Sequence, residues 1–280
     1  MQSQSEKGER FRALHQSGRL FVMPNPWDAG TARILQHLGF EALATTSAGC
    51  AFSLGRRDGT GEVSLDDLLV NAEQICSATD LPVSADLEDG FARRPEDLAV
   101  TIERAAEAGL VGCSIEDASD GQIRDVADAA ERVAAAVAAT STLATPFLIT
   151  ARAENFLHGR PDLDDTVHRL RAYEEAGADV LYAPGLTTIE QVRAVTSSLS
   201  RPVNVVVGGW NAQLTVADLE AAGVARISVG GGLARAALTA LVCAAKEILE
   251  RGSFSYAASA LSEGELVGLF DVSGARGRTG

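Results

Sequence analysis

The chain lacks the marks of several common protein classes. Its four cysteines, Cys50, Cys76, Cys113 and Cys243, are widely spaced in apolar contexts and form no CxxC pair, so no disulfide framework is indicated and reduced, mostly buried thiols are expected. Positive charge is in deficit. Lys and Arg number 24 against 38 Asp and Glu, a formal net charge of −14, which opposes the electrostatic footprint of nucleic-acid binding. No stretch is long and charge-free enough to span a bilayer, and the N-terminal Met1-Gln-Ser-Gln-Ser-Glu-Lys has no apolar core behind its charges. A cytoplasmic protein with neither nucleic-acid nor membrane partner is therefore expected. No Pro/Ser-rich linker divides the 280 residues, of which 46% are hydrophobic. That predicts one domain over 1–280 with an ample core, ending in a mobile tail at 273–280.

What is present is alternation. Four times a helical stretch closes on Gly and runs into a short apolar segment: Gly39 before Ala42-Leu43-Ala44, Gly109 before Gly112-Cys113-Ser114, Gly177 before Val180-Leu181-Tyr182, and Gly223 before Arg226-Ile227-Ser228. Each Gly suits the position just past a helix, where a left-handed backbone carries no Cβ clash. Four further strand candidates, Phe21–Met23, Pro82–Ser84, Phe147–Ile149 and Pro202–Val207, bring the total to eight, in alternation with about eight helices. This pattern predicts a (β/α)₈ barrel. A doubly wound sheet is the competing architecture, but the turn after the first strand reads Pro24-Asn-Pro-Trp27-Asp28-Ala-Gly30 and contains no GxGxxG.

Polar residues cluster where such a barrel places its chemistry, at the C-terminal ends of strands. Strand alternation puts Asp86 with Glu88, Ser114 with Glu116, and Arg152 with Glu154 on common faces. Three inward acids on adjacent strands need neutralisation, and an oxygen-only set of Asp86, Glu88 and Glu116 suits Mg²⁺, or Mn²⁺. Taken singly, each acid reads as a helix cap or a partner of Arg93 or Arg94. Arg152 reads equally as an anchor for a substrate carboxylate and as the neutraliser of Glu116 or Glu154. Thr46-Ser47-Ala48-Gly49 offers backbone donors to an anion or forms an ordinary turn, and Asp58 in the loop that follows is ambiguous. Tyr182, at the end of its strand, is placed with the substrate-binding residues. Gly230-Gly231-Gly232 reads more readily as tight packing than as a phosphate cradle. His158 is a solvated loop residue, a lid contact or a proton donor.

Thr46-Ser47-Ala48-Gly49, Leu54-Gly-Arg-Arg-Asp58, Ala85-Asp86-Leu-Glu88-Asp89-Gly90, Ser114-Ile-Glu116-Asp117 and Thr150-Ala-Arg152-Ala-Glu154 together resemble the isocitrate lyase/phosphoenolpyruvate mutase superfamily over nearly the whole chain. The resemblance implies a barrel whose eighth helix is exchanged between subunits, a homodimer or homotetramer, and Mg²⁺ bound with a 2-oxo or 2-hydroxy acid. It further implies that Asp86, Glu88 and Glu116 hold the metal directly or through water, with Asp58 nearby. Ser47 and Ala48 would then cradle the substrate carboxylate and Arg152 contact its other end. Two departures stand out. The Lys-Lys-Cys-Gly-His segment of the isocitrate and methylisocitrate lyases is replaced by Ala118-Ser-Asp-Gly-Gln-Ile-Arg-Asp125, and the Lys-containing loop of the P–C mutases is absent too. The expectation is a Mg²⁺-dependent lyase that cleaves a C–C bond of a small 2-oxo or 2-hydroxy dicarboxylic acid through a metal-stabilised enolate. Asp58, Arg152 and His158 are its candidate catalytic residues. P–C bond chemistry and a non-catalytic 2-oxo-acid binding protein are the alternatives.

Overall fold

Short runs of apolar residues bounded by Gly and Pro can pair only as brief strands, and each must be covered by the helix that follows it. The computed structural model describes residues 2–119 and 121–271. Eight strands, β1 (Phe21–Met23), β2 (Leu43–Ala44), β3 (Val83–Asp86), β4 (Gly112–Glu116), β5 (Leu148–Arg152), β6 (Val180–Tyr182), β7 (Val203–Val206) and β8 (Arg226–Ser228), form one sheet in the order β1-β8-β7-β6-β5-β4-β3-β2. Every pairing is parallel. The two end strands meet through a hydrogen bond from the Ala44 N–H to the Pro24 carbonyl at 3.1 Å, so the sheet curls into a nearly closed (β/α)₈ barrel. All eight strand candidates coincide with barrel strands, and β3, β4 and β5 run two or three residues further than expected, ending on Asp86, Glu116 and Arg152. The four joint glycines take φ between 80° and 98°.

The helices are α1 (Gln4–Gln16), α2 (Ala29–His37), α3 (Ser47–Ser53), α4 (Leu65–Ala78), α5 (Leu98–Glu107), α6 (Val126–Thr140), α7 (Leu163–Glu175), α8 (Ile189–Ser197), α9 (Val216–Ala221), α10 (Gly232–Arg251) and α11 (Glu263–Gly268). Their starts carry the expected chemistry. Ser64 caps α4 in a reciprocal pair with Asp67, and Pro95 opens the 3₁₀ turn that leads into α5. Helix α1 closes the N-terminal mouth, packing Phe11 and Leu14 with Phe21, Met23, Val111 and Leu148. A two-stranded hairpin, Ala118–Ser119 with Gln122–Ile123, follows β4 immediately. Cys50, Cys76 and Cys113 are buried and Cys243 is exposed. No helix among the described residues is long and apolar enough to cross a membrane. The tail expected at 273–280 lies outside the described residues.

Helix α10 departs from barrel packing. Of its 20 residues only Ala234 is buried, while Leu241 and Leu249 are 63% and 85% exposed, and Phe254, Leu261 and Val267 beyond it are exposed as well. An apolar face of this extent calls for a second protein surface, which the expected exchange of this helix between subunits would supply. Sedimentation velocity should therefore show at least a dimer for the native chain and a monomer for the Leu241→Glu, Leu249→Glu double variant. A monomeric native protein would remove the basis for the exchange.

Candidate active site

The parallel strands deliver their last residues to one mouth. Register pairs Asp86 with Ser114, Glu116 with Arg152, and Arg152 with Tyr182. Asp86 is the most heavily contacted acid. Its Oδ1 accepts from Arg152 Nη1 at 2.6 Å and from Ser114 Oγ at 3.4 Å, its Oδ2 accepts from Ser47 Oγ at 3.1 Å, and its backbone N–H donates to Thr45 Oγ1. Arg152 also reaches Glu116 Oε2 at 3.2 Å and Glu154 Oε1 at 2.8 Å, and its guanidinium lies 5.1 Å from the centre of the Tyr182 ring. One guanidinium thus serves three carboxylates and one aromatic face.

Glu88 arrives by a different route from the one alternation predicts. Strand β3 stops at Asp86, and Glu88 has a left-handed backbone, with φ at 48° and with Phe91 nearby at 54°. For residues other than Gly this conformation costs about 1 kcal/mol each and persists only where neighbours impose it. Here Arg132 of α6 donates from Nη2 to the Asp89 and Ala92 carbonyls at 2.7 and 2.9 Å, Thr101 Oγ1 donates to the Gly90 carbonyl, and the Glu116 N–H donates to the Glu88 carbonyl at 2.9 Å. The loop is held from both sides.

Acidity at the mouth is perturbed upward. Burial, then Asp86, Asp58 and Asp89, push the Glu88 carboxyl up to about 7. Burial raises Glu116 well above the usual range against the opposing pull of Arg152, and raises Glu154 likewise. Asp58, on an exposed loop but with its carboxyl turned toward Ser47 and Asp86, is raised chiefly by desolvation. Burial by itself would lower Arg152, yet Glu154, Asp86 and Glu116 outweigh it and fix the guanidinium as a cation. Among the described residues no three acid, His or Cys side chains converge on one point as metal ligands, because Asp86 and Glu116 turn to Arg152. The donor set nevertheless fits a hard divalent cation. Asp58, Asp86, Glu88 and Glu116 offer oxygen alone, and burial, then repulsion from neighbouring carboxylates, raises the carboxyls of Asp58, Glu88 and Glu116.

On the facing side, Thr46 caps α3 by accepting from the Gly49 N–H at 3.3 Å, so its hydroxyl serves the helix. Ser47 and Ala48 occupy the first turn, where a helix leaves N–H groups unpaired. The Gly230 to Gly232 run serves packing: a Cβ on Gly231 would stand 3.2 Å from Ala48 Cβ, and the Gly230 N–H donates to Asn25 Oδ1 at 2.9 Å. His158 is not drawn into the acid cluster. Its Nδ1 lies 3.3 Å from the Gly121 carbonyl, tying the β5 loop to the hairpin. Two residues escaped the sequence reading. Asn25 closes the barrel seam, donating to the Thr45 carbonyl at 2.8 Å and accepting from the Val229 N–H. Arg226 points inside the barrel from β8, and its one sequence signal is a charged residue at an inward position of an otherwise neutral strand.

Comparison with known proteins identifies relatives of the chain. The phosphoenolpyruvate phosphomutase family matches residues 11–249. An uncharacterized protein of Mycobacterium tuberculosis (strain H37Rv) is 32% identical over 240 residues, 85% of this chain and 88% of the relative. The 2,3-dimethylmalate lyase of Eubacterium barkeri is 29% identical over 224 residues, 76% of each chain. The crystal structure of a protein from Burkholderia cenocepacia J2315, assigned provisionally as a lyase/mutase, superposes with a TM-score of 0.92 at 51% identity, covering 95% of this chain and 96% of its own.

The raised Glu88 carboxyl has a measurable sign. Its folded-state value of about 7 lies above the ordinary 4.5, so its contribution to stability is complete below pH 4.5 and is lost as pH rises through 7. Glu88→Gln keeps the neutral form at every pH. In urea unfolding without divalent metal, the variant should exceed the native protein at pH 8 by on the order of 1–2 kcal/mol, allowing for solvent screening of a partly exposed group. The difference should vanish below pH 4.5, and a gain independent of pH would contradict the assignment.

Proposed function

This chain belongs to the phosphoenolpyruvate phosphomutase family, within the isocitrate lyase/PEP mutase superfamily of Mg²⁺-dependent lyases and mutases acting on small carboxylic acids, and from that premise we propose that it is a lyase cleaving a C–C bond of a small 2-oxo or 2-hydroxy dicarboxylic acid, by decarboxylation or retro-aldol cleavage. The observation that carries this reading is the charge at the mouth. Asp86, Glu116 and Glu154 already share Arg152, so a phosphonate dianion beside a carboxylate finds too little positive charge there, whereas a carboxylic acid asks for less. The family's phosphomutase name keeps P–C chemistry as the alternative.

In this reading the first-turn N–H groups of Ser47 and Ala48 receive one substrate carboxylate. Arg152, held on the Tyr182 ring and braced by Glu154, orients the other end as a rigid fork. Asp86 with Glu88, Glu116 and Asp58 would hold Mg²⁺, or Mn²⁺, directly or through water, and the ion would supply Lewis-acid stabilisation of negative charge on the substrate. The hydroxyl of Ser47 steadies Asp86. His158 stands at the hairpin and not in the acid cluster, so the proton is assigned to it or to a water entering at that rim.

The test is turnover with Mg²⁺ of oxaloacetate, C4-substituted 2-oxo acids, methylisocitrate-type 2-hydroxy acids and phosphonopyruvate. Pyruvate or an equivalent 2-oxo product is expected from at least one carbon acid, with Arg152→Lys losing on the order of 10²-fold or more in kcat/KM and Asp86→Asn losing both turnover and the Mg²⁺-induced rise in Tm. Consumption of phosphonopyruvate alone would select the P–C alternative. Calorimetric binding of a 2-oxo acid without turnover of any substrate would select a binding protein.

A further inference from the structure

Below the acid cluster the barrel interior holds a second guanidinium in very different company. Arg226 is 3% exposed, and its Nε donates to Asn204 Oδ1 at 2.8 Å, its Nη2 to Thr150 Oγ1 at 3.2 Å and its Nη1 faces His15 Nε2 at 3.1 Å. His15 Nδ1 lies 2.8 Å from the Phe11 carbonyl and must donate to it, which leaves Nε2 as a lone-pair acceptor for Arg226. All three partners are neutral. Arg152 and Arg169, by contrast, meet carboxylates within 3.2 Å, whereas Arg226 meets none among the described residues. Burial pushes its pKa down only to about 9, so it is a cation at neutral pH.

A buried charge without a counter-ion is costly, and a barrel that needed only a brace could set Asp or Glu against it. The chamber supplies what is missing. It has about 400 Å³ including its open mouth, with about 50 Å³ open to the centres of water-sized molecules, several times what one water needs. Arg226 lines it together with Ser84, Tyr182, Asn204 and Ser228, and the same cavity is lined by Asp86, Ser114 and Arg152, so it is continuous with the mouth. Three of the five guanidinium N–H groups are engaged, leaving one on each terminal nitrogen, the spacing that matches two oxygens of a carboxylate.

We propose that Arg226 is the floor of an anion-binding chamber inside the barrel that takes a small carboxylate, supplied either by the far end of the substrate or by a free mono-acid. The inference goes beyond the lyase reading by giving a role to Arg226 in the cavity that Asp86 and Arg152 also line.

The experiment is thermal unfolding of the full chain at fixed ionic strength, in chloride-free buffer without Mg²⁺, with formate compared against bulkier sulfate. Formate should raise Tm in a saturable manner and sulfate should not. The shift should persist in Arg152→Met and disappear in Arg226→Met. Should the latter fold poorly, Ser84→Val, which narrows the chamber and leaves the guanidinium and its neutral partners in place, should weaken formate at least threefold. No formate shift, a shift surviving in Arg226→Met, or a shift lost only in Arg152→Met overturns the proposal. With Mg²⁺ restored, displacement of formate by oxaloacetate but not by pyruvate identifies the substrate's far carboxylate as occupant, and additive binding of both acids with formate identifies a free mono-acid. Since formate binding requires neither metal nor turnover, its failure leaves the lyase reading intact, and absence of turnover leaves the chamber intact.

Discussion

The shared ion pair of Arg152 with Asp86, Glu116 and Glu154 is the constraint around which the mouth of this barrel is arranged. A parallel barrel has no choice about which residues end up adjacent. Once β4 and β5 pair in the register that sets Glu116 against Arg152, their charged ends must meet, and they can be buried only if each is compensated. The arginine accomplishes this for three acids, with Tyr182 packed against its flat face. Burial first, and neighbouring carboxylates after it, raise Glu88 and Glu116 in spite of Arg152.

Depth matters as much as the rim. Arg152 and Arg226 both project into the barrel, yet one is wrapped in carboxylates and the other in Asn204, Thr150 and His15. A negative rim over a positive interior gives the barrel an internal field directed along its axis. Helix α1 is part of the arrangement, because it carries His15, held edge-on between Phe11 and Phe21. A helix that looks like a mere plug therefore props the deeper cation.

The barrel was legible because its signals are local. Gly at a helix end followed by a short apolar run has few other physical solutions, and at Gly39, Gly109, Gly177 and Gly223 the backbone is left-handed as expected. The acid cluster was legible in position but not in cause. Glu88 reaches the mouth through a strained turn braced by Arg132, and nothing in a pattern of alternation encodes a brace from a helix some forty residues on. Asn25 and Arg226 were invisible for a related reason. Each matters through partners far away in sequence, with Asn25 bonded to Val229 and Arg226 to His15, and one residue in a strand or turn carries no trace of such a pairing. Helix α1, with a low content of apolar residues on a narrow buried stripe, gave too weak a period to be noticed.

The segment after β4 is anchored at its base. Its base is rigid: Asp117 accepts from Arg169 Nη1 at 3.0 Å, from the Tyr173 hydroxyl at 2.5 Å and from the Glu154 N–H at 2.8 Å, and its carbonyl takes the Arg124 N–H. The same carboxylate therefore fixes the root of the hairpin and the backbone of the residue that braces Arg152. Further along, the Gly121 carbonyl lies 3.3 Å from His158 Nδ1. Displacing this root would strip buried partners from Asp117 and loosen Glu154 at once. In the proposed reaction the proton is assigned to His158 or to water at the rim.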